Sequence, residues 1–182
     1  GVASGYQIPM YYDPMVAKVI CFALSAALLT AFVRWSVRAL PERRRPEPVL
    51  LWLTVLFMAK FYAHELTLGQ TNILLGVLLV GSLLAVQVDQ PYVAGVLVGM
   101  AAFVKPYALL LLPWLGFSFG VGAALCALVV LVAGLVLPAL VYGWSGNVAQ
   151  LADWFTAVSS STASTLLAAD NVSLAAMWGK RI

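Results

Sequence analysis

The chain has 182 residues, 63% hydrophobic and 9% charged, with a formal net charge of +3 and a mean hydropathy of +0.99. That composition excludes an ordinary soluble domain and predicts several membrane spans. The small positive charge does not point to nucleic acid, because the basic residues gather where a loop between spans is expected.

Residues 1–13 are polar and aromatic, with Tyr6, Tyr11 and Tyr12 close to Pro9 and Pro14, as in the aromatic belt beside a span. Asp13 has two readings: a lid or acceptor-site residue near an active face, or a solvated cap on a helix begun at Pro14. Residues 15–33 are long enough to cross as a helix, with Lys18 snorkelling near the start. Arg34, Arg38, Arg43, Arg44 and Arg45 then place a loop in the cytoplasm by the positive-inside rule. Residues 49–61 form a second, short span with Trp52 near its inner end, interrupted by Lys60, and deliver Tyr62, Ala63, His64 and Glu65 to the outer side.

His64 is the one histidine of the chain, so no multi-histidine metal site is available within it. Beside a membrane face a His-Glu pair either handles protons and orients a hydroxyl, or simply satisfies itself at the interface. The polar stretch Gly69-Gln70-Thr71-Asn72 follows, then an apolar run to Val88. Gln87, Asp89, Gln90 and Pro91 make a turn, and residues 92–104 return outward. The hairpin brings Gln70, Asn72 and Lys105 to one face, where polar groups near the bilayer core face protein, water or ligand. Gly95 and Gly99 have the small-xxx-small spacing of close helix packing.

Lys105-Pro106-Tyr107 breaks the helix, because proline lacks the backbone donor and restricts the residue before it. Residues 108–119 are a tilted short span or a re-entrant segment, and 121–142 read as the cleanest long span. An amphipathic helix over 148–158 is expected on the outer surface, within a stretch carrying Trp144, Asn147, Gln150, Asp153 and Trp154. Asp170-Asn171-Val172-Ser173 follows, and Asn171 also fits a glycosylation sequon. Cys21 and Cys126 both fall in apolar runs, where cysteine behaves as a small hydrophobe and no disulfide is expected.

If 108–119 crosses, alternation gives six crossings and gathers Asp13, His64, Glu65, Gln70, Asn72, Lys105, Asp153, Asp170 and Asn171 on the non-cytoplasmic face. If it only dips, everything after it changes side. The chain has no P-loop, no dinucleotide fingerprint in a strand-turn-helix setting and no Asp-x-Asp pair. A transferase using a soluble nucleotide-linked donor would need an aqueous nucleotide-binding domain, so a donor would here have to arrive through the lipid. A secondary transporter built around Lys105 and broken helices is the alternative, although no internal repeat relates two halves of the chain. A non-catalytic membrane subunit would need none of this polar clustering.

The Gly-Gln-x-Asn motif, the long span after it, the Gly-rich second span and Lys105-Pro106-Tyr107 resemble glycosyltransferase family 87. Weaker echoes follow at Val141-Tyr142-Gly143, Trp154 and Asn171-Val172-Ser173, in the right order over residues 66–177. The resemblance implies an all-α, polytopic, GT-C-like helical bundle. About six spans or re-entrant segments would fall in this portion, residues 1–182 forming one transmembrane domain. It also implies a mannosyltransferase of the plasma (inner) membrane. Such an enzyme draws sugar from a polyprenyl-phosphate donor and passes it to a lipid or glycan acceptor on the non-cytoplasmic face, with membrane lipid as its surroundings and no nucleic-acid partner. No cofactor is expected, the lipid-linked donor being a co-substrate. Members of the family are longer, so the chain reads as an internal portion, and the family's catalytic aspartate is expected in a loop upstream of Gly1. Asp13, in its Tyr-Asp-Pro setting, departs from that aspartate's context. The candidate catalytic residues are His64, Glu65 and Asp13, with Gln70, Asn72, Lys105, Tyr107 and Asn171 for substrate. Lys105 would carry the phosphate, a protonated His64 would assist it, and Glu65 would orient the imidazole or an acceptor hydroxyl.

Overall fold

The computed structural model describes residues 14–68 and 71–165, and every regular element among them is helical. In order these are α1 (Pro14–Arg38), α2 (Glu47–Leu68), α3 (Asn72–Gln87), α4 (Pro91–Val104), a 3-10 turn (Pro106–Leu110), α5 (Leu111–Phe119), α6 (Val121–Val136) and α7 (Ala139–Thr165). The chain divides into two compact units, Gly1–Leu131 and Val132–Ile182. Asp13, Gln70 and Asn171 lie outside the described residues.

In the first unit the helices run alternately up and down. Phe32 of α1 lies against Gly76 of α3 and Trp35 lies against Gly81, so α1 and α3 run parallel. At their shared end Gln87 Nε2 donates to the Ala39 carbonyl at 2.8 Å. The turn between α3 and α4 closes with Gln90 N–H on Ala85 O at 2.8 Å and Asp89 N–H on Val86 O at 3.0 Å. With Asp89 in the left-handed region at φ 57, this is a Schellman end, and Pro91 then starts α4 where its missing donor does no harm. The α3–α4 hairpin packs through Leu75 and Leu78 against Ala101 and Ala102 near its open end, and through Ala85 against Ala94 and Val98 near the turn.

Lys105 is extended (φ −147°, ψ 123°), as the residue before proline must be, and it stops α4. The chain then runs back along α4. Ala108 joins the cluster of Leu75 and Leu78, and Leu115 joins that of Ala85 and Ala94. Residues 108–119 thus retrace the length of α4 instead of dipping and returning. Gly120, at φ 94, makes the reversal that a side-chain-bearing residue would resist. α6 then packs parallel to α4. A Cβ on Gly95 would strike the Ala123 carbonyl, and one on Gly99 would come within 2.7 Å of the Ala127 carbonyl.

Among the described residues two helices are long and apolar enough to cross a membrane, Met15–Arg38 and Glu47–Thr67, and a third crossing results if α6 and α7 count as one broken span. α3 and α4, at 16 and 14 residues, are shorter apolar helices.

Three expectations are corrected. α2 does not end near Phe61 but runs through Lys60 to Leu68, so His64 and Glu65 sit on its last turns. A lysine interrupts an apolar run without disturbing helical geometry, and Lys60 is exposed. Residues 121–142 are not one continuous helix, because it breaks at Leu137 and Pro138, where a backbone donor is missing. The Leu135 carbonyl at this break accepts a 2.9 Å hydrogen bond from Asn147 Nδ2, and Asn147 is buried. The helix expected over 148–158 extends over Ala139–Thr165, with a non-helical residue at Gly143 (φ 71).

Candidate functional site

The polar residues of the first unit collect at two opposite ends. One holds the Arg34–Arg45 region, Gln87 and Asp89. The other holds the end of α2, the start of α3 and Lys105 after α4, brought together by the alternation of the helices.

At this second end Asn72 Nδ2 donates to Glu65 Oε1 at 3.2 Å, joining the last turns of α2 to the first of α3. The other oxygen of that carboxylate, Oε2, is buried and has no hydrogen-bond partner. A buried acceptor without a donor is costly, and a hydroxyl entering beside it would remove the cost. Lys105 is half-buried, and its side chain makes no ion pair or hydrogen bond among the described residues. Tyr107 follows it, 56% exposed.

His64 is not paired with Glu65. One residue apart on a helix, the two side chains diverge by about 100°. Glu65 is turned to α3, while His64 is exposed in a shallow apolar depression with Lys60, Phe61, Ala63 and Thr67. Thr67 Oγ1 donates to the His64 carbonyl at 2.9 Å. Asp153 is on α7, in the second unit, and is described only there.

An apolar groove of about 610 Å³ opens beside this end, between α1 and the α2–α3 connection. Lys18, Ser25, Thr67 and Thr71 supply its polar atoms, Ile73 and Leu74 part of its apolar wall. Thr71 is the residue before Asn72, so the groove adjoins the Glu65–Asn72 pair. Sequence reasoning missed both the groove and the pairing. The signal for the pairing was a carboxylate and an amide on either side of a short break between two apolar helices. Among the described residues no three His, Cys, Asp or Glu side chains gather into a metal-holding group.

No curated protein and no solved structure matches the chain. The model of glycosyltransferase family 87 matches residues 7–180, which takes in the whole polar end of the hairpin and nearly all of the sequence. The helical, lipid-facing architecture and that match agree, and the chain belongs to glycosyltransferase family 87.

Proposed function

We propose that this membrane glycosyltransferase moves a sugar, mannose by the family resemblance, from a polyprenyl-phosphate donor to a lipid or glycan acceptor on the non-cytoplasmic face. The observation that carries the reading is the polar end of the first unit. The half-buried Lys105, a carboxylate with an unanswered oxygen and an amide stand at one end of the first unit, and an apolar groove carrying Lys18 adjoins the carboxylate and the amide. A nucleotide-sugar donor would call for polar phosphate and base contacts in water, whereas a prenyl chain needs an apolar trough ending at a cation.

In the reaction the bond between the anomeric carbon and the phosphate oxygen breaks, and one to the acceptor oxygen forms. Polyprenyl phosphate leaves, and the acceptor proton passes to a base. Lys105 holds the leaving phosphate as a point charge. Asn72 and Gln70 hold sugar hydroxyls, and Glu65 Oε2 accepts from one hydroxyl. The resemblance implies an aspartate as the base, and Glu65 orients the hydroxyl. His64 lies in a separate depression of α2, and Asp13, Tyr107 and Asn171 complete the proposed set.

The test is transfer by the full-length protein reconstituted in liposomes, with labelled mannose supplied either on polyprenyl phosphate or on a nucleotide. Transfer from the lipid-linked donor alone is expected. Transfer from the nucleotide sugar without any lipid-linked intermediate would overturn the reading.

A further inference from the structure

A second groove, of about 650 Å³, runs between α1 and α2 and shares Leu66 with the first. Leu29 and Val33 of α1 line it, with Pro48, Trp52 and Val55 of α2. Its lining extends on α2 from Pro48 to Leu66, about 27 Å at the helical rise. The volume lies within the usual range of small-molecule sites, roughly 300–1,000 Å³.

The lining contains one charged side chain among the described residues, Arg34. It lies four residues before the end of α1, and Trp52 lies five residues after the start of α2, so both stand at the same end of the groove. A guanidinium and an indole at a helix end have the placement of interfacial anchors. Of the neighbouring charges, Arg38, Arg43 and Glu47 are already joined to one another. Arg38 Nε is 3.7 Å from Glu47 Oε1, and Arg43 Nη1 is 2.9 Å from Glu47 Oε2, so both oxygens of the nearby carboxylate are engaged. The Arg34 side chain is exposed and has no ion pair or hydrogen bond among the described residues. The groove thus has a long apolar floor, a single unanswered cation at one mouth, and no acid to oppose an anion there.

An amphiphile with one anionic head and an apolar tail complements that layout. We propose that the α1–α2 groove holds one anionic phospholipid of the arginine-side leaflet, its phosphate on Arg34 and an acyl chain along Val33 and Val55. Arginine is suited to this because its planar fork meets two phosphate oxygens at once. The Arg34 mouth lies at the opposite end of α1 and α2 from the sugar-transfer residues and does not depend on the donor proposed there.

The experiment is native mass spectrometry of the full-length protein in detergent, titrated with phosphatidylglycerol and, separately, phosphatidylcholine. One phosphatidylglycerol retained in preference to phosphatidylcholine is expected. Arg34→Gln should weaken that retention about tenfold, the loss of one charge-assisted contact. Arg34→Lys should weaken it less, and Arg44→Gln, outside the groove lining, should leave it unchanged. A photoreactive residue at Val55 should form an adduct with lipid. Equal retention by Arg34→Gln, equal retention of phosphatidylcholine, an equal loss in Arg44→Gln, or an adduct to protein instead of lipid would each overturn the proposal.

Discussion

Replacing the Glu65 carboxylate by an amide separates the work of its two oxygens. Glu65→Gln keeps an oxygen able to accept from Asn72 Nδ2, yet it places an NH₂ donor where the unpartnered Oε2 stood. If Oε2 receives a substrate hydroxyl, Glu65→Gln and Glu65→Ala should both lower transfer by about tenfold or more, by the cost of a lost buried contact. Near-normal transfer by the Gln variant alone would reduce Glu65 to a support for Asn72. Lys105→Met should lower the transfer rate by roughly 10²-fold with the thermal melt unchanged, as expected when an anion loses its donor. Lys105→Arg should restore part of that rate, and full turnover by Lys105→Met would leave Lys105 an interfacial anchor. His64 faces away from the Glu65–Asn72 pair, so the effects of His64→Ala and Lys105→Met should add to within about 0.5 kcal/mol in a double-mutant cycle. A larger coupling would put the imidazole on the same phosphate.

At the scale of elements, α4 and α6 meet through glycines and alanines so closely that backbone carbonyls occupy the space of a Cβ. Gly99→Leu should therefore destabilise the protein by about 1–3 kcal/mol or more, since neither Ala127 nor Val130 can withdraw without moving a helix. The measurement is unfolding in mixed micelles, and an unchanged midpoint would mean that the two helices are not in this contact. Asn147→Leu should cost roughly 1–3 kcal/mol in the same measurement by stranding the Leu135 carbonyl. The α3–α4 hairpin was legible in the sequence because two apolar runs were separated by Asp89, Gln90 and a proline at the new helix start. The break after Lys105 was legible for the same kind of reason, proline chemistry acting on its neighbour. The break at Pro138 was not read, because hydropathy counts proline among apolar neighbours and says nothing of its missing donor. The true length of α2 was hidden by the opposite error, the charge at Lys60 being taken for the near end of the span.

For the molecule as a whole, the alternation of the first unit predicts that cysteines placed at Glu42 and Ala63 label from opposite sides of sealed vesicles, in a background with Cys21 and Cys126 replaced by alanine. Same-side labelling would remove the shared polar end along with the topology. Alternation itself was legible from the arginines and the polar turns. The Glu65–Asn72 link was not, because the facing of a side chain at a helix end depends on how the next helix packs. One arrangement has a mechanical side. α2 is tied at its start by Glu47 to Arg38 and Arg43, and near its finish by Glu65 to Asn72. Between these ties its membrane-crossing window buries no residue within the protein. A rod clamped at both ends and bare in the middle yields there first, as a bowstring does. Lipid pressing between α1 and α2 would thus bow the Val55–Ala59 region outward while the Glu65–Asn72 clamp keeps the geometry of the polar end.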